Sequence, residues 1–454
     1  MDFAKLIENQ RKYFLTGATR PLKFRKAMLK KLQSALKANE ALINDALKKD
    51  MNKSPVEAYM TETGLVLNEI NFHLRHLPSW IKRKSVPTPL SHFSAKSYIL
   101  PEPYGSALIM SPWNYPVLLC LDPLIGAISA GCTAVVKPSA YTYATSAAIA
   151  RILGEIYPPE YIAVVEGGRQ ENTDLLKQHF DYIFFTGSPE VGRLVMESAA
   201  QNLTPVTLEL GGKSPVIVDE TADIELAAKR IAFGKVLNGG QTCIAPDYLF
   251  IHESVKEFFI AAYGKAIGEF FPNGDMSDMN VIINERHYRR LVALLDSGTA
   301  VAGGQTDESR RFIAPTLLDD VALDSPVMQE EIFGPILPVI PYKELSECID
   351  YITRHPKPLA LYLFTSQKTT EDKIMSTCSF GGGCVNDTIM HIATPHMGFG
   401  GVGASGMGSY HGKSSFDTFT HYKSIIKKAN WTDLPIRYRP YTDCKSKLLR
   451  KFIK

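Results

Sequence analysis

The sequence predicts an α/β fold of two doubly wound, Rossmann-like domains with a small added β element. Two observations carry this. From residue 106 onward, apolar strand-like runs alternate with helical stretches at the spacing of parallel βαβ units. The alternation starts afresh at residue 215, so one sheet does not account for all of it. The 454 residues leave room for two or three domains, at roughly 150 residues each.

Taken in order, residues 22–49 repeat Leu, Met, Ala and Ile at three- and four-residue spacing between Lys and Glu, which predicts one amphipathic helix. Residues 79–100 mix prolines with a basic cluster and end in an alternating segment, an excursion from the first domain. Next come a strand at 106–110, a helix opening at Pro116, a strand at 134–136, a helix at 143–155 and a strand at 161–165. A short helix, a strand at 182–185, another helix and a strand at 206–208 complete the first domain. The second reads as strand 215–218, helix 222–237 and strands 248–251, 359–364 and 383–385. A Gly-rich run at 398–408 demands close turns before a strand-like ending in residues 411–423.

Composition narrows the function. Hydrophobic residues at 45% and charged residues at 21% describe an ordinary globular chain and exclude wholesale disorder. Fifty Lys and Arg against 47 Asp and Glu leave a charge of +3, too little field to grip nucleic acid. The seven cysteines (Cys120, Cys132, Cys243, Cys348, Cys378, Cys384 and Cys444) are dispersed, with no zinc-like spacing, and read as reduced thiols of a cytoplasmic protein with no bound metal. The N-terminus lacks the apolar core of a secretory signal. Residues 117–136 are long enough to span a membrane, but Asp122 and Pro123 favour a buried helix followed by a strand. The tail KSKLLRKFIK, residues 445–454, mixes apolar and basic side chains; it fits a solvated tail or a weak contact with an anionic membrane surface.

Several motifs stand where chemistry could be done. FFTGSPEVG, residues 184–192, joins a strand to a helix start through Gly187 and Ser188, with Gly192 beyond, and could seat a pyrophosphate on backbone N–H groups. The Gly187-x4-Gly192 spacing is not GxGxxG, and a plain strand-turn-helix fits this piece equally. Lys137 ends a strand of the same sheet, where a cation can meet ribose or phosphate oxygens or simply be solvated. Glu209, directly after an apolar strand and before two glycines, suits a general base or a carboxylate satisfied by nearby N–H groups. Cys243 follows the Gly-rich NGGQT, which opens both sulfur and backbone N–H to a substrate; the other six cysteines read as small buried hydrophobes. In SPWNYP, Asn114 sits in a Pro-restrained loop where its amide could complete an oxyanion hole or merely form a turn.

SPWNYP, KPS, FFTGSPEVG, LELGGKSP, GGQTC, EEIFGP and PHMGFGGVGASGMGSYHG, in this order, resemble the aldehyde dehydrogenase superfamily from about residue 21 to 423. The lack of a long N-terminal extension, PLSHFSAKSYILPEPYG and DLPIRYRPY are similar to its class 3 branch, which implies a homodimer acting on medium-chain, fatty or aromatic aldehydes. The resemblance implies Cys243 as nucleophile, Glu209 as general base, and Asn114 with the Cys243 N–H as oxyanion hole. It also implies that Glu331 and Phe333 hold the nicotinamide ribose and ring of NAD or NADP, and Lys137, Gly187, Ser188 and Gly192 the rest. Tyr115 is a candidate for the wall of the aldehyde channel.

By the same resemblance, residues 1–83 and 102–210 form the dinucleotide domain, 211–410 the catalytic domain, 84–101 and 411–430 the oligomerisation element, and 431–454 a tail. One departure concerns the cofactor. NAD-preferring relatives often carry Glu after KPS, where it bonds the adenine-ribose 2′-OH and repels a 2′-phosphate; here the residue is Ala140, which implies tolerance of NADP. Three rivals are a CoA-acylating relative, which does not need Glu209, a cofactor-free Cys hydrolase, which leaves EEIFGP and FFTGSPEVG without purpose, and a non-catalytic structural protein.

Overall fold

The computed structural model describes residues 2–452. Two mostly parallel sheets dominate it. The first has the order Gly406–Met407, Val206–Leu210, Tyr182–Gly187, Ser106–Met110, Thr133–Lys137, Ile162–Val164; only the short first strand runs antiparallel. Strand order reverses between Ser106–Met110 and Tyr182–Gly187. At such a reversal the following loops diverge to opposite faces and open a crevice at the strand ends.

The second sheet has the order Thr299–Ala302, Thr316–Asp319, Ile336–Tyr342, Tyr248–His252, Pro215–Val218, Ala360–Phe364, Gly382–Val385. Three of these strands, Thr299–Ala302, Thr316–Asp319 and Ile336–Tyr342, are absent from the sequence reading. Ile336–Tyr342 carries Pro338 and Pro341, which argue against a central strand because proline has no N–H to give a ladder. It is nevertheless central, paired in parallel with Tyr248–His252 and Thr316–Asp319.

The membrane-length segment folds as the helix Leu118–Ala130, every residue of it buried, followed by the strand Thr133–Lys137. Among the described residues no helix is long and apolar enough to cross a membrane. The helix ends at Gly131, whose φ of +94° a side chain would strain, and whose N–H bonds back to Ala127 and Ile128. It starts at Leu118, two residues later than the Pro116 opening that the sequence predicts.

Residues 22–49 form two helices, not one. Leu22–Ala38 stops at Asn39, where φ −110° and ψ 18° turn the chain into Glu40–Met51. Asn competes for backbone hydrogen bonds and favours such junctions; here its side-chain amide donates to the Ala35 carbonyl.

The excursion and the late strand meet. Ala95–Pro103 pairs antiparallel with Thr420–Lys428 along its whole length, and Lys84–Val86 closes the other side of a three-stranded sheet. Residues 413–418, ahead of that late strand, are helical. The tail is the helix Asp443–Phe452; the last two residues of the predicted basic tail, and Met1, lie outside the described residues.

Candidate functional site

Two loops from different sheets converge at the crevice. The first follows Ser106–Met110 and carries Ser111 to Tyr115; the second follows the helix Ile224–Val236 and carries Asn238 to Cys243. The Asn114 amide donates to the Gln241 carbonyl at 3.1 Å, and the Asn238 amide donates to the Asn114 carbonyl at 2.8 Å. The Tyr115 hydroxyl bonds the Thr242 hydroxyl at 2.6 Å. One Asn114 N–H therefore fixes the side chain while the second remains to be directed at a ligand.

The cysteine loop is held at further points. The Gln241 amide donates to the Asn238 and Val281 carbonyls, and its oxygen accepts from the Ile283 N–H. Asn238 and Gly239 are left-handed. Gly240, at φ +70°, packs so close to Gly334 that a Cβ would stand 2.3 Å from the Gly334 carbonyl. That contact brings the Glu331–Phe333 loop against the cysteine loop.

Glu209 lies within the strand Val206–Leu210, not directly after it as the sequence predicts. It pairs in register with Thr186 on one side and Gly406 on the other. Its side chain is 2% exposed, and neither carboxylate oxygen has a hydrogen-bond partner. Burial pushes its pKa far above the ordinary carboxylate range. Burial likewise raises the Cys243 thiol, and the nearby Glu331 and Glu209 carboxylates add to the rise. The backbone N–H groups of Cys243 and Ile244 act the other way on the sulfur.

Two cavities meet at this pair. An apolar one of about 170 Å³ is walled by Tyr115, Leu118, Phe233, Ile389, Phe399 and Tyr410. A larger one of about 680 Å³ lies along Trp113, Gly187, Ser188, Gly211, Glu331 and Phe333. Glu209 and Cys243 line both, with Thr186.

The larger cavity offers groups that could hold a dinucleotide. Ser188 caps the helix Pro189–Ala200, its hydroxyl accepting from the Val191 N–H, so a helix N-terminus faces the cavity. Glu331 offers a carboxylate oxygen with no partner, and its pKa is pushed up to about 8 by burial and by the neighbouring Asp247. A Cβ on Gly211 would stand 2.0 Å from the Glu331 carboxylate, so only glycine leaves that side chain its place. Phe333 packs edge-on to Trp113 at 5.3 Å and is held at φ +52°, an unusual conformation for a bulky residue.

Not every expected residue reaches the cleft. Gly192 sits behind it, where a Cβ would meet Leu210 at 2.7 Å. Lys137 is 3% exposed and donates to the Pro138 and Gly167 carbonyls, turned back into its own loops.

Sequence reasoning passed over the residues that hold the Glu331 loop. Arg290 donates to the carbonyls of Glu331 and Ile332, at 3.2 and 2.5 Å. Lys213 pairs with Asp247 and donates to the Val327 and Glu330 carbonyls, while Asp247 accepts from the Ile332 N–H. Lys213 stood in the quoted LELGGKSP; Arg290 and Asp247 carry no local signal.

Of the other cysteines, Cys120, Cys132, Cys348 and Cys378 are buried. All seven are free thiols, and no cluster of metal-ligating side chains occurs among the described residues.

Comparison with known proteins adds to this geometry. Residues 1–425 match the model of the aldehyde dehydrogenase family. The chain is 50% identical over 446 residues to the 4,4'-diaponeurosporen-aldehyde dehydrogenase of Staphylococcus aureus, covering 97% of each. It is 44% identical to human aldehyde dehydrogenase family 3 member B1, covering 97% of this chain and 95% of that one. A solved substrate-bound AldH of Staphylococcus aureus superposes with a TM-score of 0.98 at 49% identity, covering 100% of both chains.

Proposed function

Because the chain belongs to the aldehyde dehydrogenase family, whose members typically use NAD or NADP, we propose that it oxidises apolar aldehydes to carboxylic acids through a thioester on Cys243. The observation that carries this reading is the meeting of a small apolar cavity and a larger cleft at one thiol and one unpartnered carboxylate.

The Cys243 thiol first releases its proton to solvent through the open larger cavity, and the thiolate then adds to the aldehyde carbon from the junction of the cavities. The free Asn114 N–H and the Cys243 backbone N–H receive the developing oxyanion; because Asn114 is already fixed on Gln241, little reorganisation is needed. The chemistry the bound cofactor supplies is hydride acceptance, which leaves Cys243 carrying an acyl thioester. Glu209 then takes a proton from water, and the resulting hydroxide equivalent displaces the thiolate and releases the acid. Only the ionised form of Glu209 can do this; burial, which raises its pKa, makes that form a stronger base than an exposed carboxylate while lowering its population, and without hydrogen-bond partners it is free to turn toward that water.

The dinucleotide fits the larger cavity through four features on this chain. The Ser188-capped helix start suits the pyrophosphate, Glu331 the nicotinamide ribose hydroxyls, Phe333 the ring, and Gly187 the close approach of the chain. Lys137 must give up two carbonyls to reach the adenine ribose, and Ala140 beside it is exposed with no carboxylate to repel a 2′-phosphate. Both NAD and NADP are therefore accepted.

The substrate class follows from the apolar cavity. Its walls are mostly aliphatic and aromatic and include Met60 and Met390, exposed by 45% and 53%. A medium or long aliphatic chain, or an aromatic ring, can fill the pocket, and a longer tail can continue toward solvent along the exposed methionines. The relative named for diaponeurosporen-aldehyde oxidation is consistent with a long apolar substrate.

The three-stranded sheet is the proposed dimer contact, since Thr420–Lys428 is an edge strand with backbone groups free to pair. Seven free thiols suit a reducing cytoplasm. The helix Asp443–Phe452 carries Lys445, Lys447, Arg450 and Lys451 and allows at most a weak contact with an anionic membrane. A panel of aliphatic and aromatic aldehydes, followed by absorbance of the reduced cofactor, tests the reading. Oxidation of short polar aldehydes alone would overturn the substrate class.

A further inference from the structure

Behind the thiol and the amide, one N-terminal segment touches both of the loops that carry them. Lys53 and Glu62, both with 0% exposed side chains, form an ion pair at 2.5 Å. The second Glu62 oxygen accepts the Val117 N–H at 2.7 Å and the Leu118 N–H at 3.3 Å, at the start of the helix Leu118–Ala130 and just beyond Asn114 and Tyr115. The Lys53 ammonium stands 4.4 Å over the Tyr115 ring, and the Tyr115 hydroxyl bonds Thr242, the neighbour of Cys243. Four residues beyond Lys53, Glu57 accepts the Asn238 N–H at 3.0 Å, at the other end of the cysteine loop.

Stability alone does not account for this arrangement. A buried ion pair costs desolvation on both partners, and a well-packed apolar pair of similar size is often as stable or more so. What an apolar pair could not do is hold the Val117 and Leu118 N–H groups and the Tyr115 ring at once. The segment is also locally irregular: Tyr59–Thr63 is a π-helical turn, an insertion that recurs at functional sites and here places Met60 and Thr61 on the apolar cavity and Glu62 on the helix start.

We propose that Lys53, Glu62 and Glu57 are positioning residues that set the Asn114 amide and the Cys243 loop in register for oxyanion stabilisation. This rests on the roles proposed above for Asn114 and Cys243. Glu62 and Lys53 act through the Asn114–Tyr115 loop, and Glu57 acts through Asn238. None of the three lines the larger cavity, and none touches the substrate pocket.

The test is a double-mutant cycle on the full-length enzyme with benzaldehyde and saturating NAD. Glu62→Gln keeps the side-chain shape and removes the charge; it should lower kcat about 10- to 100-fold while KM and the NAD dissociation constant stay within about twofold, as loss of alignment at the oxyanion does. In an Asn114→Ala background the same change should cost less than about threefold, because the group being aligned is gone. Glu57→Gln, which leaves the buried pair intact, should repeat the pattern and serves if Glu62→Gln does not fold. An undiminished effect in the Asn114→Ala background, or an effect on KM alone, would overturn the proposal. Full activity of Asn114→Ala itself would instead overturn the role of Asn114 on which it stands.

Discussion

The side-chain amide of Asn114 donates a 3.1 Å hydrogen bond to the Gln241 carbonyl, two residues before Cys243. Through it the end of a strand in one sheet is fixed to the loop that delivers a thiol from the other. In the mechanism proposed above the contact separates two duties of one amide group, since the hydrogen spent on Gln241 holds the group still and the remaining one is available to an oxyanion. Replacing Asn114 by Ala should reduce kcat by about 10²- to 10³-fold with little change in cofactor affinity. Steady-state kinetics beside a cofactor titration measure both, and a variant that loses only cofactor affinity would contradict the assignment.

The base role proposed for Glu209 divides the reaction in time. With Glu209→Gln, acyl transfer to Cys243 should proceed and its hydrolysis should stall, giving a burst of reduced cofactor near one per active site followed by very slow turnover. Stopped-flow absorbance distinguishes this from a variant with no burst, which would place Glu209 before the thioester instead.

The same carboxylate should be visible in stability. Its folded-state pKa is raised by burial, so between the ordinary carboxylate value and that raised value the folded chain keeps a proton the unfolded chain has lost. Stability then falls as pH rises through this window. Glu209→Gln removes the dependence, so the variant should match the parent in thermal denaturation near pH 4 and exceed it near pH 8. Equal differences at both pH values would mean that the carboxylate titrates normally.

How much of this could be read from the chain is uneven. Glu209, Cys243, Asn114, Glu331 and Phe333 were legible because each stands in a short motif next to glycine or proline, and all five line the larger cavity. Lys137 and Gly192 were equally legible as motif members but lie off that cavity, because a strand end in sequence does not state which way its side chain turns. Arg290, Asp247 and Glu62 were illegible, since each meets a backbone group far away in sequence, up to the 85 residues between Asp247 and Ile332, and Lys53 was illegible because its partners are the buried Glu62 and the distant Tyr115 ring. The fold shows the same division. Helix-strand alternation was plain as far as the strand Tyr248–His252; beyond it the four-residue strands Thr299–Ala302 and Thr316–Asp319 were too short to stand out, Pro338 and Pro341 disguised a central strand, and the break at Asn39 was hidden by a continuous helical period.

The proposed tolerance of both cofactors rests on one position. With Ala140 exposed and no carboxylate following the Lys137 turn, NAD and NADP should both support turnover. Ala140→Glu should suppress NADP-dependent kcat/KM by about tenfold or more while sparing NAD, as like-charge repulsion against a 2′-phosphate requires. Complete inactivity of the parent enzyme with NADP would remove the premise.

The central claim is the covalent intermediate, and its most direct measurement is mass spectrometry of Glu209→Gln quenched in acid after mixing with NAD and a medium-chain aldehyde. The expected result is an acyl group, heavier than the free thiol by the aldehyde less two hydrogens, on the peptide containing Cys243 and on no other cysteine peptide. An unmodified Cys243 in a sample that has produced its burst of reduced cofactor, or an acyl group on any of the other six thiols, would contradict it.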